Sequence, residues 1–219
     1  MNNFIDSNEI INFFDELNKN SIEYLLIRNI NDELPYKLER KKDIDILLKK
    51  DSKNIANFLR VINNNGFKKK LHPNRNDIFL YSCDKFIFYY NNKNKIYIDI
   101  QYELLCRSLN KGEWLPLDKK IQESAWKNKK QISERKFTYW KLSDEDELVT
   151  LIARSVLDKK EFLKNYKKRI EELYTKTNIE NIIPKLKLIF FKYTMSLIQQ
   201  IEERNFDNIV DNYYKFKEY

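Results

Sequence analysis

Two glycines in 219 residues, Gly66 and Gly112, restrict this chain more than any other feature. Glycine supplies positive φ and lets a backbone approach a ligand closely. The phosphate cradles of dinucleotide-binding and P-loop folds need several glycines at fixed spacing, so those folds are excluded. A single histidine, His72, leaves serine- or cysteine-based catalytic arrays with one base and no supporting motif. It also rules out histidine-rich zinc sites. Cys83 and Cys106 lie too far apart in sequence to read as a metal-ligand pair.

The chain can still bury a core: 42% of its residues are hydrophobic and 14% aromatic, against a mean hydropathy of -0.70. Forty-one Lys and Arg against 33 Asp and Glu leave a formal net charge of +8. That balance suits anionic partners, although the basic residues are dispersed along the chain as on an ordinary solvated surface. The opening MNNFIDSNEI has no basic segment followed by an apolar run, unlike a secretory signal. No stretch approaches the ~20 apolar residues of a membrane span. The longest apolar run, LKLIFFKYTMSLI, is interrupted by Lys192 and fits a buried helix. A cytoplasmic protein without a membrane span is expected.

Hydrophobic spacing predicts the elements. Residues 8–19 place Ile10, Ile11, Phe13, Phe14 and Leu17 on one helical stripe. Residues 24–27 (YLLI) form a short apolar strand, followed by a loop rich in Asn, Asp and Pro. Residues 43–48 (DIDILL) are a second strand. Asp51 or Ser52 caps a helix to about Asn64, ended by Asn63–Gly66. Period-two alternation then marks strands at 78–81, 86–90 and 96–101. Residues 104–136 show no clear pattern. From Ser143, with Asp146 completing a capping box, the chain turns helical. A second helix is expected from about Lys159, a third with Pro184 as its first residue, and a last amphipathic piece after Asn208. The expected architecture is α+β, a mixed sheet with flanking helices over residues 1–140 and a helical domain over 141–219.

The chemistry concentrates in two of these strands. Asp43 and Asp45 project from the same face of DIDILL, roughly 6–7 Å apart, while Ile44, Ile46 and Leu48 face a core. KIYIDIQ repeats the pattern: Ile96, Ile98 and Ile100 share one face, and Asp99 stands on the other between Tyr97 and Gln101. If the strands are neighbours, three carboxylates converge. Such a group repels itself and is costly to desolvate without a counter-charge. A hard divalent cation is the natural one, and Mg²⁺ (or Mn²⁺) favours oxygen ligands that include substrate phosphates. The competing reading is a half-exposed sheet face whose acids are merely solvated.

At these residues the sequence resembles the nucleotidyltransferase superfamily, the fold of DNA polymerase β. That family's order is helix, strand ending in Gly-Ser, loop, strand with Asp-hydrophobic-Asp, and a later strand with a third Asp. YLLIRN, KKDIDILL and IYIDIQ occupy those places here. The arrangement is also similar to nucleotidyltransferase-like proteins of bacterial polysaccharide gene clusters. The resemblance covers residues 8–103. It implies that Asp43 and Asp45 hold the metal ions and nucleotide phosphates, and that Asp99 completes the site and acts as general base on an acceptor hydroxyl. Where the family has Gly-Ser, this chain has Arg28-Asn29, so either Arg28 and Asn29 bind phosphate in their own way or the nucleotide site is altered. Lys42 is a further candidate for gripping the nucleotide.

Other candidates are weaker. Lys68, Lys69 and Lys70 precede His72 and Arg75 without the setting of a nucleic-acid module. His72 reads as a surface or hydrogen-bonded histidine, and the aromatics of FIFYY read as sheet core. The expected activity is transfer of a nucleoside monophosphate from a nucleoside triphosphate to a small-molecule acceptor, such as a sugar or polyol of a surface polysaccharide. RNA or protein as acceptor, or a non-catalytic nucleotide-binding module, are the alternatives.

Overall fold

Alternating strands with one apolar face must lay that face on a partner, and here the partner is a pair of amphipathic helices. The computed structural model describes residues 3–29 and 33–217, so the middle of the Asn- and Asp-rich loop after the first strand lies outside the described residues. In chain order the elements are α1 (Ser7–Lys19), β1 (Tyr24–Leu26), β2 (Asp43–Leu48), α2 (Ser52–Asn64), β3 (Phe67–Lys70), β4 (Ile78–Phe79), β5 (Ile87–Asn91) and β6 (Ile96–Gln101). There follow β7 (Leu105–Arg107), β8 (Glu113–Pro116), α3 (Lys119–Lys127), β9 (Lys130–Glu134), β10 (Phe137–Lys141) and α4 (Asp144–Ala153). The chain ends with α5 (Lys164–Lys176), α6 (Ile179–Phe190), α7 (Thr194–Glu202) and α8 (Phe206–Lys215). The class is α+β with C-terminal helices. No helix among the described residues is long and apolar enough to cross a membrane.

Contacts divide the chain into two compact units. The first comprises Met1–Asp77, Ser82–Glu103 and Lys129–Leu142. Among its described residues lies a seven-stranded mixed sheet in the order β3-β5-β6-β2-β1-β10-β9. Asp6 caps α1 by accepting from Asn8 N–H, and Asp51 caps α2 by accepting from Asn54 N–H. Both helices bury their apolar stripes: Ile10, Phe13, Phe14 and Leu17 from α1, and Phe58, Val61 and Ile62 from α2. They join Ile44, Ile46, Leu48, Ile96, Ile98 and Ile100 of the central strands in one core. Gly66, at φ 74, turns the chain out of α2 into β3, a backbone conformation that side chains with a Cβ rarely adopt. The lysines of β3 are exposed on an edge strand, where charge discourages pairing with another chain.

The second unit comprises Ile78–Tyr81, Leu104–Asn128 and Ser143–Tyr219. It contains the small sheet β4-β8-β7 with α3 to α8, so it draws on residues from within the first 140 as well as on the helical end of the chain. Ser143 caps α4 by accepting from Asp146 N–H at 3.2 Å. Three details depart from the expected helices. After α4 the chain makes a π-helical turn over Arg154–Lys159 and ends it at Lys160 (φ 57), so α5 starts later than Lys159. Asp158 there accepts from Arg107 N–H at 2.7 Å, a tertiary bond that no periodicity announces. The helix carrying Pro184 begins five residues earlier, because Asn178 caps it by accepting from Glu180 N–H. Pro184 is exposed, so the helical bond it cannot donate leaves a carbonyl that water can satisfy. The run expected as one helix from Pro184 to Ile201 is broken at Phe191 (φ 49).

Asp146 is fully buried yet fully partnered: its carboxylate accepts from Ser124 Oγ at 2.8 Å, Ser143 Oγ at 2.7 Å and Lys185 Nζ at 2.7 Å. Asp146→Ala strands the Lys185 ammonium, which is only 16% exposed, without its nearest counter-ion. The expected loss is about 3 kcal/mol of unfolding free energy in urea denaturation. Asp146→Asn, which keeps one acceptor oxygen for Ser124 and Lys185, should lose less.

Candidate metal centre in the first unit

The geometry starts from strand register. β2 and β6 run parallel as neighbours with Asp45 opposite Asp99 and Asp43 opposite Tyr97. The core side of both strands is fixed by buried isoleucines, so the acids can only emerge together on the other face. One carboxylate oxygen from each of Asp43, Asp45 and Asp99 lies within 4.8 Å of the others. Among the described residues this is the one grouping of acidic, thiol or imidazole side chains close enough to hold a metal ion.

Each flanking element contributes a partner. Arg28, just beyond β1, donates from Nη1 to Asp45 Oδ1 at 2.6 Å and from Nη2 to Gln101 Oε1 at 3.4 Å. The pair is well shielded, with side chains 18% and 13% exposed. Asn29 adopts φ 69, a left-handed conformation that asparagine tolerates better than most residues. Its side-chain amide then acts as a surrogate strand peptide: Nδ2 donates to Asp43 O at 2.9 Å and Oδ1 accepts from Asp45 N–H at 3.3 Å. Asn29 therefore splints β2 instead of reaching outward. Lys42 turns away from the carboxylates, donating to Glu33 at 2.6 Å, and that hydrogen bond raises the pKa of its ammonium.

His72 is hydrogen-bonded, one of the two settings expected for it, but the sequence did not identify its partner as Asp99. Its Nε2 lies 3.3 Å from Asp99 Oδ2, and its side chain is 12% exposed. The FIFYY stretch departs from the expected core assignment. Phe86 and Tyr89 are buried, but Phe88 and Tyr90 lie half-buried on the face of Asp99. There Tyr97 stacks on Tyr90 at 4.3 Å and on Phe88 at 5.4 Å, and Lys70 Nζ sits 4.1 Å above the Tyr90 ring. The alternation of IFYYN contained this signal, since every second aromatic had to face away from the core.

The donor set fits a hard cation. Asp99 Oδ1 is buried with no hydrogen-bond partner, an expensive condition for a carboxylate oxygen unless a cation or substrate proton meets it. Two oxygens on one Mg²⁺ lie at most about 4.2 Å apart, twice a bond of ~2.1 Å, so small side-chain rotations close the present spacing. Arg28 offsets one of the three negative charges, which leaves charge for a divalent ion to neutralise. No protein-family model matches this chain, and no curated protein matches it.

Without bound metal, Arg28 is the principal counter-ion of the cluster. Arg28→Gln is expected to lower unfolding free energy, and the loss should shrink in an Asp45→Asn background. A double-mutant cycle by urea denaturation in chelator should give a coupling on the order of 1–2 kcal/mol.

Proposed function

We propose that the first unit is a metal-dependent nucleotidyltransferase: Asp43, Asp45 and Asp99 hold Mg²⁺ or Mn²⁺, and a nucleoside triphosphate reacts with the hydroxyl of a small-molecule acceptor, such as a sugar or polyol. The observation that carries this reading is the convergence of three strand carboxylates, one of them with a buried and unpartnered oxygen. The order of motifs along residues 8–103 supports the same reading. Bound at this site, a divalent ion would offset triphosphate charge and stabilise the leaving pyrophosphate.

The chain's own residues supply the rest. Asp99, whose Oδ1 is buried without a hydrogen-bond partner, would accept the proton of the incoming hydroxyl. The acceptor oxygen would form its bond to the α-phosphorus as the bond from that phosphorus to the α,β-bridging oxygen breaks, and that oxygen leaves as a terminal oxygen of pyrophosphate. Arg28, held by Asp45 and Gln101, would bring its guanidinium to a phosphate. Because β2 and β6 are interior strands of the sheet, the carboxylates are fixed by the fold and need little ordering at the moment of reaction.

A second reading, with RNA or protein as acceptor, draws on the half-exposed row Tyr97, Tyr90 and Phe88 bordered by Lys70. Incubation with labelled nucleoside triphosphates separates the two. Label entering sugars or polyols supports the first, and label entering tRNA or protein supports the second.

Asp43→Asn and Asp45→Asn are each expected to reduce Mg²⁺-dependent pyrophosphate release by at least about 10³-fold, in line with the loss of a charge-stabilising group. Turnover unchanged in both variants, or equal in chelator, refutes the assignment. Mg²⁺ with a nucleoside triphosphate should raise the melting temperature of the wild type and leave that of Asp43→Asn unmoved.

A further inference from the structure

The geometry points to His72 as the positioning residue of Asp99: it engages one carboxylate oxygen and so turns the other into the metal cluster. This inference rests on the metal-site reading above. Three contacts fix the imidazole. Asn74 N–H donates to Nδ1 at 2.9 Å, so Nδ1 carries no proton and the neutral ring bears its hydrogen on Nε2. That Nε2–H then points at Asp99 Oδ2, 3.3 Å away. The ring is held between Phe86, at 5.1 Å, and Phe88, at 5.7 Å in an edge-on contact. Phe88 is itself the strand partner of Asp99, so the clamp and the residue it orients share one register. Pro73 follows directly and restricts the His72 backbone to extended conformations.

The consequence is an asymmetric carboxylate. Oδ2 is engaged by an imidazole donor, whereas Oδ1 is buried without a hydrogen-bond partner, and Asp99 offers one carboxylate oxygen to the group it forms with Asp43 and Asp45. A carboxylate free to rotate would offer either oxygen and would lose entropy on binding a cation. One already pinned by a neutral donor meets the ion in a single orientation and keeps its negative charge. Partners of this kind behind a ligand typically change metal affinity by 10–100-fold when removed.

The test is Mn²⁺ binding to the full chain, followed by paramagnetic resonance and calorimetry, without any substrate. His72→Phe keeps an aromatic ring between Phe86 and Phe88 but has no donor. His72→Gln places an amide N–H near the position of Nε2. The expected result is a Kd for Mn²⁺ raised 10–100-fold in His72→Phe and restored to within about threefold of wild type in His72→Gln. Since His72 is the chain's only histidine, its ¹⁵N imidazole signals are assigned without ambiguity. They should show the Nε2–H tautomer and shift on addition of Mg²⁺. Equal Mn²⁺ affinity in wild type and His72→Phe overturns the positioning role and leaves the metal site standing. Failure of His72→Gln to recover affinity overturns it as well, because the donor would then be irrelevant. If the wild type binds no Mn²⁺ at all, the metal-site reading falls and this inference with it.

Discussion

Three like charges sit on adjacent strands because the hydrophobic core leaves them nowhere else to go. Ile44 and Ile46 on β2, and Ile98 and Ile100 on β6, are almost wholly buried against α1 and α2. Side chains alternate along a strand, so burying these residues drives Asp43, Asp45 and Asp99 to the opposite face. A slip of one residue in either strand would push carboxylates into that core, which the desolvation cost forbids. Hydrophobic burial thus fixes a register that is electrostatically unfavourable by itself. Most of what surrounds the cluster can be understood as a response to that conflict.

The response is partial, and its incompleteness is informative. Arg28 neutralises Asp45 at 2.6 Å, Asn29 bonds the β2 backbone on either side, and His72 engages one oxygen of Asp99. A sheet selected only for stability would replace one of these acids with threonine or valine, which suits strands and carries no repulsion. Such a sheet would not build shielded partners for carboxylates and leave Asp99 Oδ1 without a hydrogen-bond partner. The buried Asp146 of the second unit is the contrast within the same chain: both of its oxygens are engaged by serine and lysine donors. One acid is closed off and serves structure. The other keeps one carboxylate oxygen without a hydrogen-bond partner.

The sequence disclosed what depends on local period and capping. DIDILL and IYIDIQ could be read as strands, and their acidic faces assigned, because alternation is a property of neighbouring residues. The caps Asp51 and Ser143 were readable for the same reason. What it concealed depends on partners distant in the chain. His72 lies 27 residues from Asp99 and looks like any surface histidine until β5 carries Phe88 beside it. Lys42 sits next to Asp43 in sequence, yet its ion pair with Glu33 draws it off the site. Residues 104–136, where periodicity was silent, hold short strands and α3, elements too brief for a pattern to accumulate. Pro184 misled because proline favours a helix start, whereas Asn178 supplied a stronger one upstream.

The scarcity of glycine and the form of the site belong to one argument. A phosphate cradle made of backbone amides requires loops that pack close to the ligand, and two glycines do not furnish them. This chain places its clustered carboxylates on interior strands and uses an asparagine side-chain amide to complete the backbone pairing of β2. Asn29 accepts a positive φ and uses its side chain to bond the β2 backbone at Asp43 and Asp45, the first and third residues of the strand. The carboxylates inherit the rigidity of the sheet, while the residues that tune them, Arg28 and His72, arrive from segments outside the strands. Such a division lets supporting loops vary without moving the carboxylates, since the positions of the acids are set by the core beneath them.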